Sequence, residues 1–67
     1  MITAAQIKKL KVTGKVADVE DGGMDEGRFF VHLTESYSWD EGYGIQRTKS
    51  FGRYSDVVRA LKTIIAT

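Results

Sequence analysis

Residues 28–35 read Arg-Phe-Phe-Val-His-Leu-Thr-Glu and carry the clearest strand pattern in the chain. Side chains alternate between the two faces of a strand, so every second residue shares one face. The two sets in this segment are Phe29, Val31 and Leu33, and then Phe30, His32 and Thr34. Because the first set is wholly apolar, the segment predicts a β-strand with one face in a hydrophobic core.

A short helix is predicted at the start of the chain. Thr3 and Gln6 have the spacing of a capping box, in which each side chain accepts a hydrogen bond from the other residue's backbone N–H. The helix is predicted to begin at Ala4 and to end at Lys9 or Leu10. Two helical turns are not stable alone, so the apolar side chains must pack on another element.

A first strand and a turn are predicted between this helix and residue 28. From Leu10 to Val16 the apolar residues alternate with polar ones, which is typical of a strand, and Gly14 marks a bulge. Residues 18–27 contain Asp-Gly-Gly and a further glycine, which predicts a hairpin turn.

A third strand is predicted from Ile45 to Phe51, after a connection over residues 36–44 that is rich in aromatic and acidic residues. If both ends of this strand face the core, Arg47 and Lys49 share the same side. An edge strand tolerates such charges, because inward-pointing charges there discourage edge-to-edge pairing. The third strand is therefore predicted at the edge of the sheet.

The last predicted element is a helix that starts near Ser55 or Asp56. Ser55 is the better capping residue, and Arg53 is the alternative. A broad apolar stripe follows, formed by Val57, Val58, Leu61, Ile64 and Ile65.

These elements predict a single α+β domain over residues 1–67, in the order α-β-β-β-α. The three strands form an antiparallel meander, and the short N-terminal and longer C-terminal helices pack on one face of it. A chain of 67 residues makes one domain and buries about 60% of the surface that its unfolded form exposes.

The composition narrows the classes of function. The chain has no Cys and one His, so disulfides and thiolate zinc sites are excluded. The acidic residues of the turn over 18–27 do not have EF-hand spacing, and no nucleophile or phosphate-binding motif is present. The expected protein has no cofactor, no metal and no catalytic residue, and it is not an enzyme. No apolar run approaches the roughly 18 residues of a membrane span, so a cytoplasmic protein with no membrane partner is expected.

The formal net charge of +1 conceals a segregation of charge along the chain. Residues 1–17 carry +4, residues 18–45 carry −7 and residues 46–67 carry +4. If the two basic segments meet in the fold, their summed potential can steer a charged partner. Alternatively, the acids have collected in two solvated turns.

The basic residues lead to the first hypothesis, a small nucleic-acid-binding module. Antiparallel strands that present basic and polar side chains on the face away from a helix can contact phosphates or a DNA groove. The predicted nucleic-acid-binding residues are Lys11, Lys15, Arg28, Phe30, His32, Arg47, Lys49 and Arg53. Arginine beside an exposed Phe30 would favour this hypothesis. The open alternative is a solvated sheet face, and His32 by itself is typical of one.

The acidic connection leads to the alternative hypothesis, a protein–protein interaction module such as a regulator or inhibitor of the phage or mobile-element type. Its predicted partner-binding residues are Tyr37, Trp39, Asp40, Glu41 and Tyr43, which would contact a basic protein. Carboxylates around a protruding Trp39 would favour it, whereas Trp39 folded onto the core would not. A homodimer is a further possibility, because a small core gains stability from association.

The stretch Gly44-Ile-Gln-Arg-Thr-Lys-Ser-Phe51, followed by Ser55 and by Val57-Val-Arg-Ala-Leu61, resembles the arm-type DNA-binding domain of phage and transposon tyrosine integrases. That resemblance covers about a third of the chain and implies a three-stranded sheet, a following helix and DNA binding, with no catalytic residue. Arm-type domains usually have Thr where this chain has Arg53. The order α-β-β-β-α is also similar to that of double-stranded-RNA-binding domains.

Overall fold

The computed structural model describes residues 2–22, 27–39 and 46–66. Its helices are Ala4–Val12 (α1) and Tyr54–Ala60 (α2), and a short 3-10 turn follows at Leu61–Thr63. Its strands are Val16–Asp21 (β1), Phe29–Leu33 (β2), Tyr37–Ser38 (β3), Thr48–Phe51 (β4) and Ile65–Ala66 (β5). Among these residues, no helix has the length and hydropathy that crossing a bilayer requires.

The central element is β2, which pairs antiparallel with β1 on one side and with β4 on the other. Val31 lies at its middle, opposite Val19 of β1 and Lys49 of β4. The predicted α+β fold with a three-stranded antiparallel sheet is confirmed, as is the position of β4 at the edge of that sheet.

The core lies on one face of this sheet. Its buried side chains are Leu10, Val16, Phe29, Val31, Leu33, Trp39, Phe51 and Val57. Leu10 comes from α1 and Val57 from α2, so both helices pack on the same face. The alternation predicted for residues 29–33 is confirmed, since Phe29, Val31 and Leu33 are buried and the residues between them are half-buried.

The predicted boundary between the first helix and the first strand was wrong. The capping box is present, with both hydrogen bonds between Thr3 and Gln6, but α1 continues through Leu10 to Val12. Leu10 is 1% exposed because its side chain packs into the core from the helix. Its burial therefore does not require residues 10–12 to be a strand. Gly14 is not a bulge: it follows the helix end with φ of 78°, a conformation that glycine adopts without steric cost.

The predicted turn over 18–27 began too early. Residues 18–21 belong to β1, and the register of its pairing with β2 shifts between Val16 and Asp18, so the irregularity in the strand lies there and not at Gly14. The hairpin is closed by a 2.8 Å hydrogen bond from the Gly22 N–H to the Arg28 carbonyl. The intervening residues 23–26 lie outside the described residues.

The predicted C-terminal helix was too long, and of its two predicted caps the structure has the alternative, Arg53, and not the preferred Ser55. Arg53 occupies the N-cap with an extended backbone and no side-chain cap, while Ser55 lies in the first turn. The helical structure ends before Ile64, and Ile65 pairs with Ser38 in a second, two-stranded sheet, β3-β5. Two consecutive β-branched isoleucines favour a strand when a pairing partner is available.

Trp39 completes the core and does not protrude. It is 1% exposed, its ring centroid lies 5.4 Å from that of Phe51, and its backbone pairs with Gln46. Of the two interpretations of Trp39, packing on the core is confirmed, and an exposed interface anchor is wrong.

We expect Trp39→Ala to lower the free energy of unfolding by about 3–5 kcal/mol, because it removes a buried ring and leaves a cavity. This loss approaches the whole stability of a small domain, so urea denaturation followed by circular dichroism should show a largely unfolded chain. The control is Val12→Ala, at a side chain that is 77% exposed, which should change stability by less than about 0.5 kcal/mol. Equal effects of the two substitutions would contradict the placement of Trp39.

We expect Gly14→Ala to cost about 1–2 kcal/mol, because a Cβ is strained at positive φ. Gly52→Ala is the matched control, since its nearest neighbour would be a flexible Arg28 side-chain nitrogen at 4.0 Å. Thermal unfolding of the two variants should therefore separate them, with Gly52→Ala close to the parent protein. A Gly14→Ala variant as stable as the parent would contradict the helix end described above.

Candidate nucleic-acid interface

The side of the β1-β2-β4 sheet away from the core is called the open face. Both helices pack on the other side, and Phe30 lies outside the core cluster. The register places seven side chains on the open face: Asp18 and Glu20 from β1, Arg28, Phe30 and His32 along β2, and Thr48 and Ser50 from β4. The open face therefore combines one aromatic ring with cationic, anionic and hydroxyl groups.

Arg28 and Phe30 occupy successive positions on the open face, with Arg28 directly before β2 and Phe30 within it. Ser50 stands directly opposite Phe30 in the pairing of β2 with β4. The Arg28 guanidinium donates a 3.0 Å hydrogen bond from Nη2 to the Ser50 hydroxyl. This bond directs the guanidinium across the β2–β4 pair, towards the residue opposite Phe30. Phe30 is half-buried and Arg28 is exposed, so the ring and the guanidinium are both accessible to a planar ligand.

His32 links the three strands of the sheet. Its Nδ1 lies 2.9 Å from the Thr48 hydroxyl. Its Nε2 makes no aligned hydrogen bond within the described part of the chain, but the Glu20 carboxylate approaches it at 3.3 Å. Residues 2–22, 27–39 and 46–66 contain no group of three His, Asp or Glu side chains that could hold a metal ion.

The acidic side chains lie along β1, at one border of the open face. Asp18 is partly compensated by Lys11 of α1, whose Nζ is 3.5 Å from Oδ1. The Glu20 carboxylate lies 3.3 Å from Nε2 of His32, and this contact is an ion pair only when the ring is protonated. Both carboxylates are more than half exposed, and such exposed pairs stabilise the fold little. Pairing with Lys11 reduces, but does not remove, the repulsion between the Asp18 carboxylate and an approaching phosphate.

The remaining predicted basic residues do not join Arg28 on the open face. Arg47 and Lys49 alternate with Thr48 and Ser50 and so lie on the core side of β4. Lys49 extends along the edge, with Nζ 5.9 Å from the Phe51 ring centroid, and Arg53 is exposed just beyond it. Of the eight predicted nucleic-acid-binding residues, the structure groups Arg28, Phe30 and His32.

Lys15, from the predicted nucleic-acid-binding set, contacts Tyr37, from the predicted protein-binding set. Lys15 lies with its Nζ 5.8 Å from the centroid of the half-buried Tyr37 ring. In the alternative, protein-binding set, Trp39 is buried, while Asp40, Glu41 and Tyr43 lie outside the described residues. The described members of that set therefore offer no protruding anchor for a partner.

A pocket of about 170 Å³ opens between the start of α1 and the β1-β2 hairpin. Its apolar lining comes from Ile2, Ile7, Val19 and Phe29, and its charged rim from Asp21 and Arg28. The described lining contains no histidine or hydroxyl side chain. The pocket can therefore bury an apolar group beside one carboxylate and one guanidinium, but it has no histidine to act as a general base.

Four open-face residues were missed from the sequence: Asp18, Glu20, Thr48 and Ser50. Asp18 and Glu20 were assigned to a turn, and the hydroxyl residues were overlooked beside the more conspicuous Arg47 and Lys49. The signal that identifies Thr48 and Ser50 is the period of two itself. Once Phe51 is assigned to the core, residues 48 and 50 must face the other way.

Comparison of the chain with protein-family models, with curated proteins and with solved structures finds no match. The resemblance to integrase arm-type and double-stranded-RNA-binding domains therefore stays a prediction.

The surroundings of His32 lead to an expected tautomer. A carboxylate only accepts hydrogen bonds, so Glu20 favours a proton on Nε2 and leaves Nδ1 to accept from the Thr48 hydroxyl. We expect ¹⁵N spectra of the neutral ring to show mainly the Nε2–H form and Glu20→Ala to raise the Nδ1–H fraction. Glu35→Ala, an exposed glutamate just beyond β2, is the control, and an unchanged ratio in Glu20→Ala would contradict this arrangement.

Proposed function

We propose that this domain binds single-stranded nucleic acid through the open face, with Arg28, Phe30 and His32 as the central contacts. The observation that carries the proposal is that Arg28 and Phe30 lie side by side on the uncovered face of the central strand. Aromatic rings stack on bases of any sequence, and guanidinium groups contact phosphates or stack on base planes. The hydrogen bond from Arg28 reaches Ser50, the residue that is paired opposite Phe30.

The mixed charge of the open face favours a single strand over a duplex. A duplex presents a dense array of phosphates to any flat surface, and Asp18 and Glu20 would oppose it. A single strand can turn its bases towards the sheet and keep its phosphates at the borders. Bases carry hydrogen-bond donors and acceptors, and they find both types here in the Glu20 carboxylate and in the Thr48 and Ser50 hydroxyls.

Arg47 and Lys49 have a secondary role in this proposal. They lie on the core side of β4, the opposite face of the sheet from Phe30, and contribute to the positive potential near that edge. Arg28 is the cation that a bound strand would touch. Removing Arg28 or Arg47 changes the net charge equally, so the two substitutions separate direct contact from the general field.

We expect Phe30→Leu to weaken binding of a fluorescein-labelled oligothymidylate about 5- to 100-fold in fluorescence anisotropy titrations, since stacking contributes about 1–3 kcal/mol per base. Leucine keeps the position apolar and the strand intact, so the melting curve should change little. Tyr54→Leu, an aromatic residue packed against the core on the other side, is the control. Undiminished binding by Phe30→Leu would contradict the proposal.

We expect Arg28→Ala to reduce the dependence of log K on log salt by about 0.7, which corresponds to one released counterion on a single strand. Arg47→Ala should reduce it less, and Arg28→Lys should keep the slope while weakening binding, because lysine retains charge but loses the planar fork. Titrations between low and moderate salt measure all three slopes. Binding that ignores salt in the parent protein would contradict the electrostatic part of the proposal.

A further inference from the structure

The outer edge of β4 carries unpaired backbone groups in the described part of the chain. The Leu33 N–H donates a 2.8 Å hydrogen bond to the Arg47 carbonyl, so residue 47 directs its backbone towards β2. Backbone groups in an antiparallel pair alternate in direction. The N–H and C=O groups of Thr48 and Ser50 therefore point away from β2. On that side the described residues form a single bridge, between Gln46 and Trp39, and no described strand pairs with Thr48 or Ser50.

Basic side chains border this edge. Arg47 and Lys49 are two positions apart on the core side of β4, and both are exposed. A strand added alongside β4 would place its own alternate side chains directly opposite them, at a Cβ separation of roughly 4.5–5.5 Å. Opposite charges at such positions stabilise the pairing and like charges destabilise it.

This charge pattern opposes pairing with a second copy of the chain. In an antiparallel β4–β4 contact centred on residue 49, Lys49 meets its own copy. In the register centred on residue 48, Arg47 meets Lys49. Both registers bring cations together at the closest cross-strand positions, so the occupant that fits is a different chain of opposite charge.

We propose that the edge of β4 binds an extended acidic peptide, which adds as a strand with carboxylates at alternate positions opposite Arg47 and Lys49. The Thr48 and Ser50 backbone groups supply the hydrogen bonds, and the two cations select the partner. This site uses the edge and the core side of β4, whereas the nucleic-acid proposal uses the open face, so each stands without the other.

The test uses two blocked peptides of about eight residues, one alternating Glu with Thr and the other alternating Lys with Thr. Titrating the Glu peptide into ¹⁵N-labelled protein should shift the amides of residues 48–50 and slow exchange of the Thr48 and Ser50 N–H groups with solvent. The Lys peptide should bind at least tenfold more weakly. Equal binding of the two peptides, or no shift at these amides with millimolar Glu peptide, would overturn the proposal.

Two variants sharpen this test. Ser50→Pro removes an outward N–H, which an edge strand tolerates, so it should melt cooperatively and lose Glu-peptide binding at least tenfold. Lys49→Glu should weaken the Glu peptide and strengthen the Lys peptide, and this gain decides the matter if Ser50→Pro fails to fold. Retained binding in a folded Ser50→Pro, no exchange of preference in Lys49→Glu, or a concentration-dependent dimer in light scattering would each contradict the proposal.

Discussion

The structure depends on the alternating burial of β2. Phe29, Val31 and Leu33 are each no more than 5% exposed, and Val31 has a paired neighbour on both sides. A strand can direct only every second side chain into one core. Burying these three residues therefore forces Phe30 and His32 to the other face, so the composition of the open face is a direct consequence of how the core forms.

A chain of this size must also close its core at the ends of the sheet, without disulfides. Phe51 does so by contacting two other rings, Phe29 at 6.4 Å and Trp39 at 5.4 Å between centroids. The short pairing of β3 with β5 supports this end, since it ties the last residues of the chain to the segment that leads into Trp39. Much of the apolar volume is thus contributed by rings that are distant in sequence.

The fold class could be predicted because its main signals are local. The capping box needs only Thr3 and Gln6, and the face of β2 needs only the period of two. The boundaries could not be predicted where tertiary pairing competes with local pattern. Leu10 fits a helix or a strand equally well until its place in the core is known, and Ile65 leaves the apolar helical stripe because a partner strand is present at Ser38.

The candidate site was predicted in part for the same reason. Arg28, Phe30 and His32 share one strand, so their common face follows from the sequence. Whether Arg47 and Lys49 join them depends on which face of β4 carries Phe51, because residues 47, 49 and 51 share one face of the strand. Pairing of Phe29 with Phe51 places the two cations on the core side and two hydroxyl residues beside Phe30, which changes the character of the surface from basic to mixed.

We propose that the open face is the surface of the domain that contacts nucleic acid. Mapping amide chemical shifts of the ¹⁵N-labelled protein during titration with a short oligothymidylate tests it most directly, because the map locates the contact without any substitution. We expect the largest shifts at Arg28, Phe30 and His32, with smaller ones at Thr48 and Ser50. Shifts concentrated on α1 or α2, or a spectrum that does not change at low salt, would contradict it.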